Sequence, residues 1–356
     1  MEIQKVLEEA IRLGASDIFI IAGLPLTYKV SGRQQRNGPP LTPNETAALV
    51  DAIYTTCGRR ADLLLDPCVD DDFSCTISKL GRFRVNVLRQ RGSLGAVLRV
   101  IRFGLPSPEE LGIPAAVMGL TATRKGLVLV SGAAGSGKST TLACMLDAIN
   151  RTRDGHIITM EDPIEFIHRH GRCIVTQREV GSDTESYVGA LRSALRESPD
   201  VILLGEMRDY ETIEVAMTAA ETGQLLFSTL HTTGAANTVD RIIDVFPANQ
   251  QNQIRIQLSM VLQAVVSQQL VPTVDGSVTV AFEVMRTSMA IRNLIREAKT
   301  HQLDAAIQSA GAAGCITMDD SLARLAQSGR ITRDTALTYA LHQEALAQKL
   351  TAMGIK

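Results

Sequence analysis

The sequence predicts an α/β protein with two parts, an N-terminal α+β unit and a larger domain built on a mostly parallel sheet. From residue 126 onward, short apolar strands alternate with helical stretches, which is typical of a parallel sheet covered by helices. Before residue 101, strand-like segments follow one another as a meander. Between the two regions, Phe103 to Pro114 concentrates proline and glycine and predicts a domain boundary. A chain of 356 residues is long enough for two domains.

The N-terminal unit is predicted over residues 1–103, with a linker at 104–114. Its first helix carries one apolar stripe and ends at Gly14, and its second begins with a capping box in which Thr42 precedes Glu45 by three residues. The predicted elements are helices at 3–13 and from Thr42 to about Tyr54, and strands at 17–21, 26–30, 70–78, 83–88 and 96–100.

The second domain is predicted over residues 115–289, and a helical region without strands over 290–356. The elements predicted there are strands at 127–130, 157–160, 201–204 and 225–229, and C-terminal helices at 319–327 and 334–350.

A glycine-rich loop directly after the first strand of the second domain fits the pattern G-x-x-x-x-G-K-[ST] at every fixed position. Glycines let backbone N–H groups turn toward phosphate oxygens, and the helix that follows adds a partial positive charge. Lys138 is expected to reach the β- and γ-phosphates, and the Ser139 hydroxyl to ligate Mg²⁺. The predicted nucleoside triphosphate ligands are Gly132, Gly135, Ser136, Gly137, Lys138, Ser139 and Thr140.

Polar residues at the ends of three further strands are candidates for the chemistry, since parallel strands end at the same edge of a sheet. Glu161 precedes Asp162 and Pro163, which stops its strand, while Glu206 ends the strand at 201–204. We predict that Glu161 and Glu206 hold Mg²⁺ together with Ser139, partly through water, and that His231 senses the γ-phosphate. The alternative role for Glu206 is to cap the following helix. Glu161 is the candidate for activating water, while which of the two glutamates is the base stays open.

Composition excludes several other classes of protein. The net charge of -2 and the aromatic content of 4% argue against nucleic-acid binding. No apolar run approaches the ~18 residues of a membrane helix, and the N-terminus lacks the pattern of a signal peptide. The cysteines form no C-x-x-C pair, which argues against zinc and against a disulfide framework and indicates a reducing cytoplasm. They are Cys57, Cys68, Cys75, Cys144, Cys173 and Cys315.

Taken in order, these motifs resemble those of the secretion-superfamily (GspE-type) ATPases, in particular the branch that retracts type IV pili. The resemblance covers nearly the whole chain. The matching segments are an Asp box at 158–165, an atypical Walker B motif at 204–209, a His box at 228–234, the stretch 262–268 and the sequence AIRNLIRE at 290–297.

The resemblance implies a PAS-like N-terminal domain, a RecA-like ATPase core and a hexameric ring that hydrolyses ATP with Mg²⁺. It implies a cytoplasmic motor at the inner face of the membrane, which reaches the membrane only through partners such as the pilus platform protein and drives pilin disassembly and twitching motility. It also makes Arg82, Arg84 and Arg99 candidates for stabilising charge at the active site. As a bare pattern, arginines that alternate along a strand indicate a solvated face.

Two further features of the sequence are the AIRNLIRE segment and a glutamine at position 224. The AIRNLIRE segment predicts an amphipathic helix with an apolar stripe at Ile291, Leu294 and Ile295, and with Arg292–Arg296 and Asn293–Glu297 as i,i+4 pairs on its polar face. The resemblance implies that this polar face transmits the output of the motor. Gln224 stands where many members of the family carry a histidine, so a role that needs a cation there is in doubt.

Three alternative functions remain beside pilus retraction. An extension or secretion ATPase of the same superfamily generally carries a four-cysteine zinc insert, which this sequence lacks. A RecA-like DNA-translocating ATPase is disfavoured by the acidic balance. An accessory paralogue would bind nucleotide but work only beside a main motor.

Overall fold

The structure, a computed structural model, describes residues 2–59, 70–78, 80–101 and 104–355. It divides into two units, residues 1–104 with 165–167 and residues 105–164 with 168–356. Cys68 and Phe103, which entered the sequence predictions, lie outside the described residues.

The first unit is an antiparallel sheet with two helices packed on it, as predicted. The helices share a core with the strands, where Val6, Leu7, Leu49 and Ile53 are all buried. The sheet order is β3-β2-β1-β6-β5-β4. Its elements are α1 (Ile3–Leu13), β1 (Asp17–Ile20), β2 (Pro25–Val30), β3 (Arg33–Pro40), α2 (Pro43–Thr56), β4 (Asp71–Ile77), β5 (Gly81–Gln90) and β6 (Ser93–Ile101).

The sequence analysis missed strand β3 and wrongly argued against a disulfide. Strand β3 is exposed along its whole length and is held by backbone pairing with β2. Its sequence therefore lacks the alternation of apolar and polar residues that predicts a strand. Cys57 and Cys75 form a disulfide with a Cα–Cα distance of 5.5 Å. The cysteines are 18 residues apart, and they meet because α2 ends beside β4.

The capping box predicted at Thr42 is present and gives a testable stability effect. The Thr42 hydroxyl accepts the N–H of Glu45 at 3.3 Å, and the Glu45 carboxylate accepts the N–H of Thr42 at 2.8 Å. We expect Thr42→Ala to lower the free energy of unfolding of the first unit by about 1 kcal/mol in urea titrations. Thr56→Ala in the same helix is the control, since its hydroxyl only bonds the Ala52 carbonyl. Equal effects of both substitutions would refute the capping explanation.

The second unit is a mixed sheet, parallel except at one edge, with helices on both faces. The sheet order is β13-β12-β7-β11-β10-β8-β9, and among the described strands of this sheet only the β12–β13 pair is antiparallel. Its strands are β7 (Gly126–Ser131), β8 (Gly155–Glu161), β9 (Cys173–Glu179), β10 (Val201–Leu204), β11 (Leu225–Leu230), β12 (Leu262–Pro272) and β13 (Val278–Arg286).

The helices of this unit cover a sheet whose central strands are buried on both sides. Along β7, Leu127 and Leu129 belong to one apolar core, while Val128 and Val130 belong to the core on the opposite face. The α-helices are α3 (Ala115–Met118), α4 (Lys138–Thr152), α5 (Tyr187–Ala194), α6 (Tyr210–Glu221), α7 (Ala235–Asp244), α8 (Ala248–Val261), α9 (Met289–Arg296), α10 (Leu303–Ser309), α11 (Met318–Gln327), α12 (Arg333–Thr338) and α13 (Gln343–Ala352).

The predicted α/β class is confirmed, but strands β9, β12 and β13 were missed and one helix was overextended. Strand β12 directly follows a helix, and Ser267, Gln268 and Gln269 interrupt its apolar residues, so its sequence shows no strand alternation. The helix predicted at 334–350 is broken in two, because the Asp319 carboxylate accepts the backbone N–H groups of Leu341 and His342 at the break. None of the described helices is long and apolar enough to span a membrane.

Candidate nucleotide site

The glycine-rich loop lies between the end of β7 and the start of α4, as the motif predicted. Gly132, Gly135 and Gly137 all have positive φ angles, of 143°, 76° and 88°, which other residues rarely adopt. Lys138 is buried, and its ammonium group donates to the carbonyl oxygens of Gly132 at 2.8 Å and Ala133 at 2.9 Å. The lysine charge therefore lies inside the curve of the loop, beside the backbone that is expected to cradle phosphates.

The remaining predicted ligands lie on the loop and the first turn of α4, where backbone N–H groups are not used within the helix. Ser139 and Thr140 are half-buried, whereas Ser136 is buried. The loop is also supported by Gln268, which the sequence did not indicate as a site residue. The Gln268 side chain, on the neighbouring strand β12, donates to the Ser136 carbonyl at 2.6 Å. The stretch 262–268, which ends at this glutamine, is part of the family resemblance, but nothing in its sequence predicts this contact.

The sheet order places the three polar strand ends beside one another. Strand β11 lies between β7 and β10, and β8 lies on the other side of β10. The Gly205 N–H donates to the Met160 carbonyl at 2.8 Å, so the chain leaves β10 next to the end of β8. Glu161, Glu206 and His231 are therefore brought to one edge of the sheet, the edge at which β7 leads into the glycine loop.

Glu206 is the centre of a charged cluster at this edge. Its carboxylate lies 2.7 Å from Nε of Arg208 and 3.4 Å from Nε2 of His231. The Glu206 side chain is 16% exposed, whereas His231 is 51% exposed. A mostly buried carboxylate next to an accessible imidazole can orient the imidazole toward a ligand.

Glu161 accepts hydrogen bonds from two neutral side chains. Its Oε1 accepts hydrogen bonds from the Thr159 hydroxyl at 2.7 Å and from the Gln177 amide at 3.3 Å. The peptide bond between Asp162 and Pro163 is cis, and the chain turns away from the sheet there. Glu161 is thus fixed at the strand end with polar support.

A cavity of about 440 Å³ opens on the same edge and contains a tyrosine that the sequence analysis missed. Tyr187, at the start of α5, places its hydroxyl 2.8 Å from where a Cβ on Gly205 would lie, so a side chain at 205 would displace that hydroxyl. Burial raises the pKa of Tyr187, and Glu206, Asp162 and Glu161 raise it further. The Tyr187 phenol therefore stays protonated as a potential hydrogen-bond donor beside these acids.

The arginine candidates lie in the first unit, where each has a polar partner. Arg84 forms a two-point contact with Asp72 at 2.6 and 3.2 Å, and Arg99 pairs with Asp17 at 3.1 Å. Arg82 donates to the Thr76 hydroxyl at 3.1 Å. Half-buried and buried residues alternate along β5, which agrees with the interpretation as a half-solvated strand face. Their role at a nucleotide stays a prediction.

Gln224 lies at the opposite end of the sheet from His231. It directly precedes β11, whereas His231 follows that strand, so the two are roughly 20 Å apart at ~3.3 Å per residue. Its side-chain oxygen accepts from the Thr222 hydroxyl at 2.7 Å. A cation at 224 would not reach the nucleotide edge of this sheet.

The AIRNLIRE helix is formed as predicted, but its polar face is used differently. In α9, Ile291 and Ile295 are fully buried, and Leu294 packs against the same core. The Arg292 guanidinium bonds the Ser259 and Met260 carbonyls at the end of α8, at 2.5 and 2.7 Å. The expected i,i+4 pairs are thus wrong for Arg292, since it caps a neighbouring helix instead.

A lysine-bearing glycine loop that joins a buried parallel strand to a helix, with acids on neighbouring strand ends, defines a P-loop nucleotide-binding protein. Within that class the sequence is diagnostic, since residues 69–351 match the model of the type II/IV secretion system protein family. The chain belongs to this family, which confirms the resemblance to the secretion-superfamily ATPases.

Within this family, the chain is similar to ATPases of type IV pili. The type IV pilus retraction ATPase PilT of Pseudomonas aeruginosa is 47% identical over 94% of this chain and 97% of its own length. The type IV pilus ATPase PilU of the same organism is 42% identical over 96% of this chain and 89% of its own length. A crystal structure of the retraction motor PilT with bound ADP superimposes with a TM-score of 0.89 at 44% identity, over 98% of this chain and 99% of that one.

Proposed function

We propose that this chain is a Mg²⁺-dependent ATPase that powers type IV pilus retraction as a hexameric ring in the cytoplasm. The observation that carries the proposal is the complete set of loop, acids and histidine on one sheet edge, in a fold that matches a PilT structure with bound ADP. In this proposal the first unit is the PAS-like domain of residues 1–103, joined by 104–114 to a RecA-like core and a helical C-terminal region.

Each residue of the site has a proposed role. The loop amides with Lys138 hold the phosphates, and Ser139 and Thr140 extend this contact into the first turn of α4. Glu161 activates the attacking water, and Glu206 supports the metal shell and orients His231 toward the γ-phosphate. Arg82, Arg84 and Arg99 neutralise developing charge, which requires that the nucleotide displaces their present polar partners.

The donor set fits magnesium. Mg²⁺ prefers oxygen ligands, keeps several waters, and is usually held by one or two carboxylates together with substrate phosphates. The Ser139 hydroxyl and the carboxylates of Glu161 and Glu206 supply such oxygens. Among the described residues no group of three or more His, Cys, Asp or Glu could enclose a metal by itself. When bound, the metal would neutralise charge on the β- and γ-phosphates.

One alternative is an accessory role beside another motor, since a second type IV pilus ATPase, PilU, is also similar to this chain. A retraction motor would drive pilus retraction by itself, whereas an accessory ATPase would need a second motor. Contact with a pilus platform protein at the inner face of the membrane is part of both.

The test is pilus retraction in a type IV piliated strain that lacks both its retraction ATPase and any accessory ATPase. We expect this chain to restore retraction, and Lys138→Ala to abolish it because the loop loses its phosphate-binding cation. Lys125→Ala, an exposed lysine just before β7, is the matched control and should retract normally. Restoration only when a second motor is present would establish the accessory role, and retraction by Lys138→Ala would refute the ATP-driven motor.

A further inference from the structure

Glu283, a buried acid on β13, has no part in the site described above. It is 1% exposed, yet both of its carboxylate oxygens are engaged. Oε1 accepts the backbone N–H of Ala235 at 2.5 Å, and Oε2 accepts the backbone N–H of Met318 at 3.1 Å. These are the first residues of α7 and α11, so one carboxylate satisfies the starts of two helices.

Helix α7 begins directly after the His box, so its start determines where His231 lies. Only residues 232–234 separate His231 from Ala235. A second acceptor holds the same segment, because the Ser267 hydroxyl accepts the Gly234 N–H at 2.9 Å. Ser267 and Glu283 are directly opposite each other on the paired strands β12 and β13. The two side chains thus form one anchor for the chain that leaves the His box.

The same helix also contacts the strand of the glycine loop. Thr238, in the first turn of α7, donates to the hydroxyl of Ser131 at 3.0 Å, and Ser131 is the last residue of β7. A shift in the start of α7 therefore disturbs both His231 and the strand end that leads into the loop.

The other carboxylate oxygen of Glu283, Oε2, connects it to the C-terminal helices. Helix α11 begins at Met318, and the Asp319 beside it accepts the N–H groups that break the chain between α12 and α13. His342 at that break lies 2.9 Å from the Asp304 carboxylate on α10. The contacts form a continuous hydrogen-bonded path from the His box to α10, α11 and α13.

We propose that Glu283 is a positioning residue for the ATPase site, whose carboxylate fixes the His-box end of α7 to the C-terminal helices. The placement of His231 at the γ-phosphate then depends on how those helices are held. This inference rests on the proposed ATPase function and assigns a residue outside its catalytic set.

The charge of Glu283 matters because only the carboxylate can accept from both N–H groups. Burial raises the pKa of Glu283 to about 6, against the effect of the two backbone hydrogen bonds. Below that pH the acid is protonated and one oxygen becomes a donor that faces a backbone N–H. The charged groups around it, on α10, α11 and the segment from His342 to α13, are Asp304, Asp319, Asp320, His342 and Lys349.

The test is steady-state ATP hydrolysis by full-length Glu283→Gln. The amide keeps the size of the side chain but turns one acceptor into a donor, so one helix start loses its partner. A misplacement of about 1 Å costs on the order of 100-fold in rate, so we expect kcat to fall by ~10- to 100-fold. The KM for MgATP should change less than kcat, because the contacts of Lys138 and Gln268 that hold the loop do not involve α7.

A pH profile separates positioning from a general loss of structure. The wild-type rate should contain an acidic limb near pH 6 that Glu283→Gln lacks, because the amide does not titrate. The matched control is Gln308→Ala, which alters the lining of the same pocket but leaves the contacts of Glu283, Asp319 and Asp304 in place, and its kcat should stay within twofold of wild type. If Glu283→Gln does not fold, Ser267→Ala removes the neighbouring acceptor and should lower kcat with KM retained.

The outcomes distinguish the inference from the function on which it rests. Wild-type kcat and an unchanged pH profile in Glu283→Gln, or wild-type kcat in Ser267→Ala when Glu283→Gln does not fold, would overturn the positioning role while the ATPase function stands. Equal losses in Gln308→Ala would also overturn it, since they would show that any change in the pocket has this effect. A wild-type chain that does not hydrolyse ATP would instead refute the proposed function.

Discussion

Glu161→Gln should lower kcat for ATP hydrolysis by about 10²- to 10⁴-fold, the range that a general base contributes. The amide is isosteric and can still accept from Thr159, whose hydroxyl lies 2.7 Å from Oε1 in the wild type. Its expected defect is therefore in proton abstraction from water, and the KM for MgATP should change little. The measurement is phosphate release at saturating MgATP.

Glu206→Gln should give a different defect, which separates the two acids. This carboxylate lies beside Arg208 and His231, and it is proposed to support the metal shell. The substitution should raise the Mg²⁺ concentration needed for half-maximal hydrolysis, and a titration of Mg²⁺ at fixed ATP measures it. If Glu206→Gln loses kcat at saturating Mg²⁺ while Glu161→Gln loses only metal affinity, the two roles are exchanged.

The control for both is Glu211→Gln on the same side of the sheet. Glu211 pairs with Arg192 at 3.0 Å with both side chains about half exposed, and it has no proposed role in hydrolysis. It should retain the wild-type rate and Mg²⁺ requirement. Wild-type rates in both Glu161→Gln and Glu206→Gln would show that neither acid takes part.

The parts of the site that the sequence predicted are those encoded within a single segment. The glycine loop is specified by covalent spacing, and Glu161, Glu206 and His231 each follow an apolar run whose end can be read locally. The α/β class predicts that such ends share an edge, because parallel strands point the same way. The structure adds the distances, such as 3.4 Å from Glu206 to His231.

The residues that were missed reach the site through contacts between distant segments. Gln268 contacts Ser136 from 132 positions away, and Glu283 meets Ala235 from 48 positions away. Both lie on β12 and β13, the strand pair that periodicity did not reveal. Tyr187 was missed because a tyrosine at the start of a helix forms no sequence motif. Only its packing against Gly205 shows that it lies beside the acids of the site.

Gly132→Ala is expected to cause the largest structural disturbance of the loop. A Cβ at Gly132 would lie 2.2 Å from the carbonyl oxygen of Gln268 and 2.7 Å from the hydroxyl of Ser136. The Gln268 backbone cannot move aside cheaply, because β12 is paired with β7 on one side and with β13 on the other. The φ angle of 143° adds strain for any residue with a side chain.

These terms set the expected size of the effect. Overpacking costs about 1–3 kcal/mol and an unfavourable backbone angle about 1–3 kcal/mol more. If the loop moves to relieve about 3 kcal/mol of this strain, the dissociation constant for ADP rises by roughly 100-fold. If the loop stays in place, the strain appears as a lower free energy of unfolding instead. Calorimetric ADP titration and urea unfolding of the same preparation measure both quantities.

The matched control is Gly276→Ala, in the turn between β12 and β13. Its φ angle is also positive, at 80°, but nothing lies within 4 Å of the added Cβ. It should therefore cost only the backbone term, about 1–2 kcal/mol of unfolding free energy, and leave ADP affinity unchanged. A Gly132→Ala chain that matched Gly276→Ala in both measurements would show that the loop is not confined by β12. The close approach of strand and loop would then not explain why residue 132 is a glycine.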